Sequence, residues 1–316
     1  MNTKNFRTFT WGLLIYNLMV VVWGVYVRAS FSGDGCGAHW PLCGGNVVPI
    51  NPATKTLVEF GHRITSGLAV VLIMLLIFWA IRCYPKGHPV RLGAWLAVGF
   101  TFSEALVGAA LVLFKWVAHD QSVYRAVAIS VHLTNTFMLL GSITLTGWCA
   151  AGGALPSLKG KGAVGKMLLI CAVLMTVLGI TGTIAALGDT LFPGTRIIAD
   201  MQKDFEPTAS YLLKLRPLHP FAAVLVASYI GYAASKLYKL RPTPQVRLYK
   251  KSMMWIFTLQ MAFGFFNLML HAPVWMQLDH LLIADMLWIN LVLLACAALT
   301  EGAEPTTVAE AGLQPA

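Results

Sequence analysis

Charge is what this sequence has least of. Lys, Arg, Asp and Glu make up 11% of its 316 residues, where a soluble domain carries about 25%. With 57% hydrophobic residues and a mean hydropathy of +0.69, this excludes an ordinary soluble domain and predicts an integral membrane protein in contact with lipid. Acidic residues are missing from one whole set of connections. The basic residues from Lys4 and Arg7, through Arg82, Lys86 and Arg91, to Lys159, Lys161, Lys166, Lys239, Arg247 and Lys251 meet no Asp or Glu before the C-terminal tail. Because Lys and Arg stay on the cytoplasmic side, the expectation is a multi-pass protein of the cell membrane with both termini in the cytoplasm. The net charge of +10 is then a topology signal and implies no nucleic-acid partner. A small-residue cleavage site is also lacking after the run Trp11 to Val27, so this run is expected to be a retained helix.

What is present is a set of apolar runs, at about 10 to 29, 62 to 82, 92 to 114, 127 to 149, 165 to 187, 212 to 235, 252 to 271 and 279 to 299. They are too long for the strands of a membrane barrel, which run to about 10 residues, so the predicted fold is all-α with eight transmembrane helices. After the Gly- and Lys-rich connection from Gly152 to Lys166 the pattern restarts. Gly24 to Asp34 recurs as Gly179 to Asp189, His62 as His219, Glu104 and Gly108 as Gln260 and Gly264, and His132 as His280. Such self-similarity predicts two duplicated four-helix bundles, residues 1–154 and 155–316, related by an axis along the membrane normal.

Ionisable groups inside apolar runs need a reason. Glu59 and His62 lie three residues apart on one helical face, just ahead of a membrane run, and His132, His219 and His280 each stand near the start of another. A lone intramembrane His is most simply a packing residue. Two per half, on alternate helices of a four-helix unit, is the arrangement for axial ligation of one haem in each half. His39, His88, His119 and His271 have no repeat partner and are expected in loops or at interfaces. Zinc would want three or four clustered ligands, which the sequence does not gather. A proton-coupled transporter is the rival class, but the helices lack its paired Gly/Pro interruptions. Glu104, deep in the third run, reads either as a functional carboxyl or as a neutral acid bonded to a neighbouring helix, since a charge there costs about 3 kcal/mol. Cys36 and Cys43 sit in an outer loop facing an oxidising compartment, where they can pair as a structural staple or a redox element. Cys83, Cys149, Cys171 and Cys296 suit reduced packing positions. Arg28 and Arg63, near the outer helix ends, either partner haem propionates or mark the interface.

The succession Gly24-x-x-x-Arg28, Cys36 to Cys43 with Trp40-Pro41-Leu42-Cys43-Gly44, Glu59-x-x-His62-Arg63, His132, His219 and His280 resembles the haem A synthase family over essentially the whole chain. The resemblance implies a membrane oxidoreductase that converts the C8 methyl group of haem O to a formyl group, giving haem A for terminal oxidases. It also implies a bound b-type haem. Some family members carry a second cysteine pair in the loop after the fifth helix, whereas residues 188 to 215 contain none. On this reading His62 and His132 hold the substrate haem O, and His219 and His280 ligate the iron of haem b. Glu59, with Arg216 opposite it in the second half, is then the catalytic carboxylate. Partners would be an electron donor or acceptor, which the residues do not identify, and haem O synthase. The alternative is a b-type cytochrome for electron transfer without haem modification, which would need neither Glu59 nor the cysteine loop.

Overall fold

Residues 2–300 are described in a computed structural model. The acidic tail after them, where the expectation of a cytoplasmic C-terminus falls, lies outside the described residues. Among the described residues the chain forms ten helices: α1 (Thr3–Ala29), α2 (Thr54–Cys83), α3 (Pro89–Leu113), α4 (Val123–Ala150), α5 (Gly162–Leu191), α6 (Ile197–Asp204), α7 (Tyr211–Leu215), α8 (Leu218–Leu240), α9 (Pro244–Met269) and α10 (Val274–Leu299). With α7 and α8 taken as one, eight segments of 25 to 30 residues are long and apolar enough to cross a membrane. At about 1.5 Å per residue each exceeds the roughly 30 Å hydrocarbon layer, so the helix ends reach into the polar region. The chain is a multi-pass membrane protein.

Local chemistry sets the helix ends. The Asn2 and Ser122 side chains accept from the Lys4 and Arg125 amides to cap α1 and α4, and Thr243 caps α9 with Pro244 in its first turn. Arg28, Arg82 and Lys239 stand in the last turns of α1, α2 and α8, where a cation complements the helix dipole.

Neighbouring helices touch in the order α1, α2, α3, α4 and back to α1, and again in the order α5, α8, α9, α10 and back to α5. The two rings meet through α4, α10, α1 and α5. At their junction Phe137 of α4 stacks on Trp288 of α10, with centroids 4.9 Å apart, and the indole N–H donates to the Phe137 carbonyl at 2.5 Å. Gly141 leaves the room for that indole, because a Cβ there would stand 3.4 Å from Trp288 Nε1. Close approach at small residues is how helices associate where lipid removes the hydrophobic drive.

The helices α2, α4, α7–α8 and α10 all begin at the end of the molecule that carries the loops 30–53, 114–122, 192–210 and 270–273. His62, His132, His219 and His280 lie within the first three turns of those four helical segments. All four therefore cluster towards this loop end.

Candidate functional site

The loop 30–53 is fastened to α2 by two side chains of opposite charge. Cys36 and Cys43 form a disulfide, with Cα atoms 4.4 Å apart, and the Gly44 amide donates to the Cys36 carbonyl at 2.9 Å. Glu59 is 3% exposed; its Oε2 accepts from the Cys36 amide at 2.7 Å and its Oε1 from Arg63. Arg63 Nη1 in turn donates to the carbonyls of His39 and Leu42 at 2.7 and 2.6 Å. Gly35 is required here, because any side chain would run into the Lys55 carbonyl. Both charges of the Glu59–Arg63 pair thus hold the loop, with Nη1 and Nη2 of Arg63 both bonded to protein oxygens.

The four histidines stand in different polar surroundings. His62 packs on α1 where Gly24 leaves space, since a Cβ there would lie 3.0 Å from the imidazole Cε1, and its Nδ1 has no protein partner. His132 Nδ1 lies 3.2 Å from Glu104 Oε2 on α3, within ion-pair reach but off the line of a hydrogen bond. His219 Nδ1 lies 3.2 Å from the Thr181 hydroxyl and packs where Gly182 has no side chain. His280 Nε2 lies 3.1 Å from the Gln260 amide nitrogen, Gly264 leaves room for its ring, and its Nδ1 is unpartnered. Among the described residues, three His, Cys, Asp or Glu side chains nowhere gather as a metal cage.

The ring centroids of His219 and His280 are 6.3 Å apart and their planes cross at 87°. Two imidazoles bonded end-on at about 2.0 Å to one metal come to roughly this centroid separation. In the N-terminal half His62 lies within electrostatic range of both His132 and Glu104.

Arg28 reaches from α1 to α10, where its Nη2 donates to Gln277 Oε1 at 3.0 Å, and its buried Nη1 has no protein partner. At the place in the second half that corresponds to Glu59, Arg216 is bound by Asp189 at 3.0 Å and Asp204 at 2.6 Å. The histidines without repeat partners sit elsewhere: His88 caps α3, His119 stacks on Phe31, His39 offers its carbonyl to Arg63, and His271 lies 3.9 Å from Asp200.

Several polar residues of the site escaped the sequence reading. Asp285 of α10 is fully buried, with neither carboxyl oxygen partnered, and lies within electrostatic range of Glu104. The rule that singled out Glu104, an acid inside an apolar run, would have found it. Asn135, Thr136 and Gln277 carry no such signal, since their importance depends on which helices meet. Sequence spacing pairs Gly24 with Gly179, but the glycine facing His219 is Gly182, whereas Gly179 packs on Leu133 and Phe137.

Comparison with known proteins gives a consistent relationship. Residues 7–292 match the family model COX15-CtaA, described as cytochrome oxidase assembly protein. A Thermus thermophilus protein named protoheme IX farnesyltransferase is 45% identical over 304 residues, covering 96% of this chain but 50% of its own length. Proteins named heme A synthase from Halalkalibacterium halodurans and Alkalihalophilus pseudofirmus are 42% and 40% identical over 97 residues, which is 31% of this chain and 33% of theirs. The chain therefore spans about half the length of the first relatives it matches, and shorter stretches of the others. A match running from α1 into α10 shows that this chain belongs to the COX15-CtaA family of cytochrome oxidase assembly proteins.

Proposed function

We propose that this protein is a haem A synthase, oxidising the C8 methyl group of haem O to a formyl group to give haem A. What carries the reading is the Glu59 carboxyl, buried one helical turn before His62 and bound to the amide of a disulfide-linked cysteine. A protein that only passes electrons needs no such group. Relatives named heme A synthase support it.

On this reading the chain is a duplication whose halves have parted in chemistry. His62 and His132 hold the substrate haem O, and His219 and His280 hold a b-type haem, for which their 6.3 Å ring separation is support. The b-type haem, when bound, supplies electron transfer. The remaining work belongs to side chains. Methyl oxidation passes through an alcohol and then a hydrated aldehyde that loses water; where water supplies the oxygen, each of the two oxidations passes two electrons to the electron acceptor and releases two protons. Glu59, acceptor-only when ionised, takes these protons at Oε1 or Oε2, while Arg63 and the Cys36 amide keep it oriented. In the second half Arg216 takes the place of Glu59 and is already bound by Asp189 and Asp204, so a carboxyl one turn before the histidine is present in the N-terminal half alone, which supports chemistry there. Arg28, with its free Nη1 between the rings, suits a haem propionate; for Arg63 that role would compete with its loop contacts.

The basic connections support an orientation in the cell membrane with the disulfide loop outside and the N-terminus inside. The Thermus thermophilus relative, named for farnesyl transfer to protohaem and about twice as long over its match, supports direct hand-over of haem O from a haem O synthase. An electron donor or acceptor completes the partners.

The test is pigment analysis. Protein purified from cells that make haem O should yield haem B together with haem O or haem A. Haem B alone under those conditions would overturn the reading in favour of a cytochrome.

A further inference from the structure

We infer that Glu104 is a positioning residue for His132, making that imidazole the electron-rich one of the four and setting the two haem sites at different reduction potentials. The inference rests on the proposed role of His62 and His132 as ligands of the substrate haem.

Glu104 reaches from α3 to α4 and its carboxyl is surrounded by donors. The Thr136 hydroxyl donates to Oε1 at 2.5 Å, and the Asn135 amide donates to Oε2. Asn135 is itself fixed, since its amide also donates to the Phe100 carbonyl at 2.8 Å and its Oδ1 accepts from the Ser103 hydroxyl at 2.5 Å. Thr136 stands one turn after His132 and also touches the His132 carbonyl at 3.0 Å. The carboxyl is therefore locked in place by α3 and α4 before any imidazole is considered. It then presents Oε2 to His132 Nδ1 at 3.2 Å. The separation is within ion-pair reach, with the Nδ1 position off the line of a hydrogen bond.

A carboxylate at Nδ1 fixes the tautomer, leaves Nε2 as the ligating nitrogen, and raises its basicity. None of the other three imidazoles has this partner. His219 meets a neutral hydroxyl, His280 meets the neutral amide of Gln260 and does so at Nε2, and His62 Nδ1 meets nothing. A more basic ligand stabilises the oxidised iron and lowers its potential. The substrate side is then the easier to oxidise, and electrons leaving it run towards the His219–His280 side.

The experiment is spectroelectrochemical titration of the purified, haem-loaded protein, with His132→Ala and His280→Ala identifying which pigment belongs to which site. Glu104→Gln should shift the reduction equilibrium of the His132-dependent pigment towards the reduced form by about tenfold, a rise of about 59 mV for one electron. The His280-dependent pigment should keep its potential, which also reports that the bundle has folded. Glu104→Asp should recover much of the shift. An unchanged potential at the His132-dependent pigment in Glu104→Gln overturns the inference while leaving the two-site reading intact. If no pigment depends on His132, that reading fails and the inference falls with it.

Discussion

The two halves of the molecule differ most where they should match. One turn before His62 stands a buried carboxylate, Glu59, joined to a disulfide loop and to Arg63. Three residues before His219 stands an arginine held between Asp189 and Asp204. A loss of charge follows one helix on, where Glu104 faces His132 but the neutral Gln260 faces His280. Three of the four histidines keep a glycine on the neighbouring helix, whereas the charges around the rings have been rewritten. On the proposed reading, a duplicated scaffold preserves room for an imidazole, and the polar groups around it set what each site does.

The sharpest break of this comparison comes from the ligands themselves. His219→Ala or His280→Ala should remove essentially all haem B from the purified protein, while His62→Ala or His132→Ala should leave it and lose haem O. Quantifying extracted haem per polypeptide checks this, and haem B lost from the N-terminal variants but retained in His219→Ala would reverse the assignment of the halves.

A smaller effect is expected from the loop. Replacing Cys36 and Cys43 with serine frees a short chain segment, at a cost of about 2–3 kcal/mol by loop-closure entropy, and loosens the amide that holds Glu59. Product formed per bound haem B should fall on the order of tenfold, as a displaced proton acceptor would give, with haem B content unchanged. Equal losses of product and haem would mark the bridge as a staple alone. The smallest effect on product formation should come from Arg28→Leu, which removes the Gln277 contact and a buried cation. Loss of one charge-assisted bond, about 1.5–3 kcal/mol, should speed haem transfer to an acceptor apoprotein; an unchanged transfer rate would leave Arg28 as an inter-ring strut.

Much of this was legible in the residues, for a physical reason. Apolar runs and isolated ionisable groups are strong signals in lipid, so the eight spans and the four histidines could be read directly. The second run reads as starting at 62, but α2 begins at Thr54, because a helix continues past the apolar layer into the polar region and so carries Glu59 and His62 on one rigid element. Helix α6 went unread, being short and lying in a polar loop, whereas α7 falls within the run read from about 212 to 235 and continues into α8. The Gly24–Gly179 pairing failed by about one turn, because helix-to-helix contact, and not spacing along the chain, decides which glycine meets the His219 ring. The engagement of Arg63 by loop carbonyls and the cage around Glu104 depend on tertiary contact and leave no local pattern.

Glu59→Ala, expressed in cells that supply haem O and analysed for every extracted haem, tests the division of labour most directly. The protein should keep its full haem B and retain haem O or its alcohol, with haem A reduced by about 100-fold or more, as loss of a general base implies. Haem A formed at the normal rate, or haem B lost with the carboxylate, would contradict the assignment of the chemistry to the N-terminal half.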